Sequence, residues 1–338
     1  MILVNKNLFI QLTALPIILF FLFVAASNTS GPDYINYIWM IDAIQNKGAT
    51  FLEKIFIAKD VLFGFLVWLI NPLYRDDYQI VIFYVLLIGS VHRLYLISKL
   101  GFGFYLYALI YFIFLAPGLD FAAIRALMGL SFVTIYLCIS RFKILLLLLA
   151  LLSHASMLIP IFFISRFVET LRVRFGMIPL AIVVILTSMV GVGSLHLLPQ
   201  TQSYIDNSGS WLLLFRIVFL IVPLLLLYSD INKNQNISEF SLRTLTLSIL
   251  LISTALGAIE VSVAASRIME LGVFFSLISL FSMRYSSFIS IWTKRTYVAY
   301  LIILIISFSY RNILSGLWMN MFDLNIGNVF ELLRILNF

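Results

Sequence analysis

Nine apolar stretches, over about 7–27, 78–97, 101–117, 122–140, 176–197, 210–228, 243–261, 267–283 and 296–313, run from end to end of this chain. Each approaches the roughly 20 residues that cross a bilayer as a helix. A chain spaced in this way is solvated by lipid along most of its length. Composition agrees: 62% of the residues are hydrophobic and 11% charged, against about 25% charged in a globular domain. The expectation is an all-α, polytopic membrane helix bundle of about 9–11 transmembrane segments, with one integral membrane domain over residues 1–338 and no soluble domain. The first run, Leu8 to Ala26, has no charged leader beyond Lys6 and no small-residue cleavage site, so it reads as a retained membrane helix.

Two further segments are unusual. Val61 to Pro72 is about a dozen residues, a length suited to a re-entrant or interfacial piece. Ile144 to Ser165 is long enough to cross but is broken by Ser153-His154 and by Pro160, which removes a helix hydrogen bond. If both are re-entrant and the N-terminus is cytoplasmic, thirteen of the 22 basic residues face inward: Lys6, Arg93, Lys99, Arg141, Lys143, Arg166, Arg172, Arg174, Lys233, Arg243, Arg284, Lys294 and Arg295. That bias favours the re-entrant arrangement. The 28–60 loop and the 262–267 turn are then external, and the tail with its weakly amphipathic 329–336 end lies on the outer interface.

In so apolar a chain, ionisable side chains in or beside membrane segments are functional candidates. The 28–60 loop carries Asp33, followed by Tyr34, Tyr37, Ile38, Ile41 and Ile44 at helical spacing and closed by Lys47-Gly48. This reads as an external amphipathic helix with Asp33 as its N-cap. An acid there is also placed to accept a proton from a sugar hydroxyl. Arg125 opens a membrane segment and either pairs with Asp120 or offers a fork to phosphate oxygens. Arg216 lies about a turn and a half into a span, where it either snorkels or faces a cavity. Arg267 and Glu270 share a helical face at i and i+3, an ion pair or a functional cluster that Glu260 could join. His154 is read as the one histidine deep in an apolar segment, with His92 and His196 at interfaces; its pKa range suits proton transfer.

Other chemistry is not signalled. The single cysteine, Cys138, rules out a disulfide framework and a cysteine metal site. Asp76 and Asp77 are adjacent, so they diverge on a helix, and Arg75 offers them an ion pair. No metal site and no cofactor are expected, and no phosphate-cradling glycine loop with a lysine is present. The net charge of +7 is read as topology-fixing basic loops, with no nucleic-acid partner.

Several of these positions fall in a familiar order. Gly31-x-Asp33-Tyr34-x-x-Tyr37 follows the first span, and Arg125-x-x-Met128 opens a later helix. Ser153-His154-x-Ser156-x-Leu158-Ile159-Pro160 follows the basic Arg141-x-Lys143 turn, and Ser266-Arg267 comes late. The chain resembles the EpsG/Wzy group of bacterial polysaccharide polymerases, mostly over residues 7–165. It departs from the pattern at Ala126, where glutamine is usual, and at Glu270, where an aromatic often stands nearby.

The resemblance implies a fold similar to GT-C glycosyltransferases, in the bacterial inner membrane, with an active site facing the periplasm. It implies polymerisation of lipid-linked oligosaccharide repeat units of O-antigen or related surface polysaccharide. The donor would be an undecaprenyl-diphosphate-linked oligosaccharide and the acceptor the end sugar of another lipid-linked unit; a chain-length regulator protein is an expected partner. On this reading Asp33, Glu270 and His154 are candidates for catalysis, and Arg125, Arg216 and Arg267 for holding the diphosphate. Tyr34 and Tyr37 offer rings to sugars. The alternatives are a different GT-C-like glycosyltransferase or ligase, a lipid-linked oligosaccharide flippase or transporter, which would show halves related by a repeat, and a membrane O-acyltransferase, for which His154 is the only signal.

Overall fold

The structure, a computed structural model, describes residues 6–29, 33–46, 50–57, 60–70, 77–121, 123–139, 141–195, 211–232, 237–283, 290–314 and 316. Gly31, Lys47-Gly48, Arg75, Asp76, His196, Lys233, Arg284 and the 329–336 tail lie outside these residues. The described residues form helices and turns and no strand. In order these are α1 (Lys6–Ser27), α2 (Tyr34–Asn46), α3 (Phe51–Ile57), α4 (Val61–Ile70), α5 (Tyr78–Leu100), α6 (Gly103–Ile110), a π-helical turn (Tyr111–Leu115), α7 (Ala116–Leu119) and α8 (Ile124–Cys138). Then come α9 (Lys143–Ser153), a 3-10 turn (Ala155–Met157), α10 (Leu158–Phe163), α11 (Arg166–Phe175), α12 (Met177–Leu195), α13 (Trp211–Ile231), α14 (Glu239–Gly257), α15 (Ser262–Ser282) and α16 (Ile291–Leu314).

Among the described residues six helices, α1, α5 and α13 to α16, are long and apolar enough to cross a membrane. The protein is a multi-pass membrane helix bundle. Shorter apolar helices, α4, α8 and α9 among them, accompany these six. At 1.5 Å per residue, the ten residues of α4 extend about 15 Å, half the hydrocarbon thickness.

The chain forms two compact units, one running to Leu158 and resuming at Tyr310, the other Ile159–Ser309. In the first, α5 packs on α1 and α8, α8 packs on α9, and α4 lies against α2, α3, α5 and α9. In the second, α14 and α15 form the buried centre, with α12 and α13 against α14. The Ser279 hydroxyl donates to the Ser241 carbonyl at 2.7 Å there, tying the two central helices by a polar contact of the kind that joins helices in lipid.

Four sequence readings need correction. The late turn is 258–261 rather than 262–267: α14 closes at Gly257 and α15 begins at Ser262, so Arg267 falls inside α15. The broken segment breaks at His154, whose backbone is extended (φ −166°, ψ 132°). Pro160 sits in the first turn of α10, where a missing N–H costs little. His92 and Arg93 are not interface residues; both are buried in α5, and of the two histidines among the described residues His92, rather than His154, is the fully buried one. Asp120 pairs with Arg93 and not with Arg125. Adjacency in sequence could not show this, because the π-helical turn and α7 carry Asp120 back onto α5.

Candidate functional site

The two segments that sequence marks as unusual build one cluster. Asp60 stands immediately ahead of α4, its carbonyl accepting the Gly64 N–H at 3.0 Å. That is the position where an acid ordinarily caps the helix with its side chain. The Asp60 carboxylate instead accepts from Arg125 Nη1 at 2.5 Å. Arg125 is the second residue of α8. Its guanidinium lies 5.7 Å from the centre of the Tyr37 ring on α2, a cation–π contact. His154 occupies the break after α9, and the electrostatic influence of its ring and of the Ala155 N–H reaches the Asp60 carboxyl.

Local sequence explains why these pieces meet. Gly64 lets α4 lie against the end of α3: a Cβ there would stand 2.3 Å from the Ile55 carbonyl oxygen. Gly129 does the same for α8 and the 3-10 turn, since a Cβ would stand 2.4 Å from the Met157 side chain. Irregular backbone at membrane depth is tolerated where protein covers it, and here both breaks are held against other helices.

Protonation follows from the partners. The Ser156 N–H can only donate, and it points at His154 Nδ1 at 3.1 Å. A neutral His154 therefore carries its proton on Nε2. Asp60 lies outside every candidate span. Burial pushes its carboxyl up, against the lowering effects of Arg125, His154 and the Ala155 N–H. The Arg125 side chain is 21% exposed and that of Asp60 9%, so the pair is sheltered yet reachable. A cation in the first turn of a helix works against the macrodipole, which favours anions there. Arg125 and the first-turn N–H groups of α8 thus bias one spot toward negative charge.

The other expected site residues fall as follows. Asp33 holds the N-cap position of α2, its carbonyl accepting the Tyr37 N–H at 3.0 Å, and its Oδ1 accepts from Asn36 at 3.5 Å. It lies one helical turn from Tyr37 on the same face. Tyr34 is half-buried; burial first, then the Asp77 charge, pushes its hydroxyl up. Tyr37 is 3% exposed, its ring taken up by Arg125 and by Phe63 at 5.7 Å, which leaves Tyr34 the more accessible ring. In the second unit, Arg267 Nη1 stands 3.6 Å from the buried Glu270 carboxylate, and Glu260 is exposed in the preceding turn. Arg216 donates from Nε to the Ser307 hydroxyl at 2.8 Å and covers the Phe308 ring, so it faces α16 rather than snorkelling freely. Asp77 caps α5, accepting the Gln79 and Ile80 N–H groups. Among the described residues no group of three or more His, Cys, Asp or Glu is placed to hold a metal ion.

Asp60 was not singled out by sequence, where it only closed the external loop. Its signal was an acid directly ahead of an apolar segment too short to span.

Compared with protein-family models, the chain matches that of the EpsG family over residues 12–325. The chain belongs to the EpsG family. The match takes in both compact units and every candidate residue of this EpsG protein. No curated protein and no solved structure matches it significantly.

Proposed function

We propose that this EpsG-family protein is a membrane glycosyltransferase that polymerises lipid-linked oligosaccharide repeat units of O-antigen or a related surface polysaccharide. The donor glycan leaves an undecaprenyl-diphosphate carrier and joins the end sugar of a second lipid-linked unit, on the periplasmic face of the bacterial inner membrane. The observation that carries this reading is Arg125: a sheltered guanidinium at a helix N-terminus, positioned by an acid and an aromatic ring.

The chemistry asks for such a group. As the acceptor oxygen attacks the anomeric carbon, the bond from that carbon to the diphosphate breaks, and its electrons remain on the phosphate oxygen. A fixed guanidinium and helix N–H groups stabilise that charge without reorganising. The acceptor hydroxyl loses its proton to a nearby base. Asp33 is our choice, one turn from Tyr37 on α2, with His154 as the second candidate. Tyr34 supports a sugar ring, and the exposed apolar faces of the short helices suit a polyprenyl chain. The reading rests on the first unit alone; Arg216, Arg267 and Glu270 are not assigned a role in it.

The test is genetic complementation. Arg125→Ala should insert normally yet give only single-repeat glycan. Wild-type long chains from that variant would refute the diphosphate role.

A further inference from the structure

We infer that Asp60 is an internal counter-anion: it holds Arg125 in the empty site, yields it to the incoming diphosphate, and returns to it as the spent lipid diphosphate leaves. This deepens the reading of Arg125 as the diphosphate anchor and rests on it.

Asp60 occupies the spot that the α8 N-terminus and the guanidinium make attractive to an anion, at 2.5 Å from Arg125 Nη1. One carboxylate is a modest occupant of that spot. A diphosphate brings more charge and more acceptor oxygens, and matches a guanidinium fork better. Asp60 also has somewhere to go. The Ala155 N–H and the His154 ring already act on it, and both belong to the break after α9 rather than to α8. A carboxylate displaced toward that break meets an N–H donor and an imidazole there, which lowers the cost of the exchange; an orphaned buried charge would make it prohibitive.

The return step has its own logic. Transfer converts a phosphate diester into a terminal phosphate, which carries more negative charge than the donor did. Arg125 would hold this product more tightly than the substrate. A carboxylate waiting beside the guanidinium competes for it and speeds release. Asp60 is thus a positioning residue that acts through Arg125, and it touches neither reacting atom.

This gives an expectation opposite in sign to that of a merely structural acid. Were Asp60 only a brace, removing its charge would loosen Arg125 and weaken anion binding. As a competitor, its removal strengthens binding and slows turnover. The experiment measures undecaprenyl diphosphate binding to the purified full-length protein, together with single-turnover and steady-state transfer. Asp60→Asn should bind undecaprenyl diphosphate about tenfold more tightly, keep its first turnover and lose steady-state rate. Asp60→Glu should stay near wild type. Equal or weaker binding by Asp60→Asn overturns the inference. Arg125→Ala separates the two readings: if it binds undecaprenyl diphosphate as well as wild type, the anchor role itself fails. If it loses binding while Asp60→Asn is unchanged, only the exchange fails. A second measurement needs no variant. In the wild-type protein, carbodiimide labelling of Asp60, read by peptide mass spectrometry, should rise when undecaprenyl diphosphate is bound. Labelling that does not rise also overturns the exchange.

Discussion

Arg93 and Arg125 carry the same guanidinium in different settings. Arg93 is 3% exposed, paired with Asp120, bonded to Ser90 at 3.1 Å, and lies 5.0 Å from the centre of the Tyr111 ring. Tyr111 donates to the other Asp120 oxygen at 2.5 Å. Ser90, Arg93, Tyr111 and Asp120 are all buried, where Arg125 is partly open, so the cluster is structural. Arg93→Ala should cost about 3–5 kcal/mol by stranding Asp120, read as a lower unfolding temperature in detergent; Arg93→Met with Asp120→Leu should recover most of it. At Arg125 the expected loss is in rate. Removing one transition-state donor typically costs about 10²–10³ in turnover, and Arg125→Lys should recover little, because an ammonium lacks the planar fork. A pH effect follows from Asp60. Its carboxyl is pushed up by burial against Arg125, His154 and the Ala155 N–H, so its charge is present above that raised value and lost as pH falls through it. Undecaprenyl diphosphate binding by wild type should therefore strengthen on acidification more than binding by Asp60→Asn, a difference that cancels protonation of His154 and of the ligand. At this scale sequence marked Arg125 and His154, because charged or polar groups among apolar neighbours stand out; the Tyr37 ring, read as open to sugars, is buried instead. It missed Asp60 and misassigned Arg93, because partner choice across a bundle depends on which helices pack.

The elements that build the site are the short and the interrupted ones. α4 is too short, and the segment from Lys143 stops at His154 before resuming. Both anomalies were legible as length and as interruption. That they face each other was not, since helix pairing leaves no mark on a single segment. Close approach does leave one, as glycine. Gly129→Ala should push Met157 and the 3-10 turn away from α8 and lower transfer activity more than stability; Met157→Ala in the same chain should restore activity by opening space. The π-helical turn shows another kind of tie. Arg311 and Asn312, at the end of α16, donate to the Phe114 carbonyl at 3.2 and 3.3 Å, satisfying an acceptor in that irregular turn. Helix bounds were less legible. Gly257 ends α14 within what reads as a continuous apolar run, and α15 begins at Ser262, more than a turn ahead of Arg267.

For the molecule as a whole, the membrane class was fixed by composition, and EpsG membership extends over 12–325. Sidedness makes a direct prediction. With Cys138 replaced, a single cysteine at position 125 should react with an impermeant reagent from the periplasmic side, as the re-entrant arrangement requires. Protection there, with reaction at the exposed position 99, would favour full crossing. The central claim concerns chemistry, and one assay addresses it most directly. The purified protein in lipid nanodiscs is given a synthetic undecaprenyl-diphosphate-linked repeat unit, and the glycan and lipid products are counted together. Wild type should release one lipid diphosphate for each repeat added to a growing lipid-linked chain, and Arg125→Ala should release none. Chain growth that persists in Arg125→Ala, or lipid diphosphate released by wild type without any longer glycan, would contradict the account.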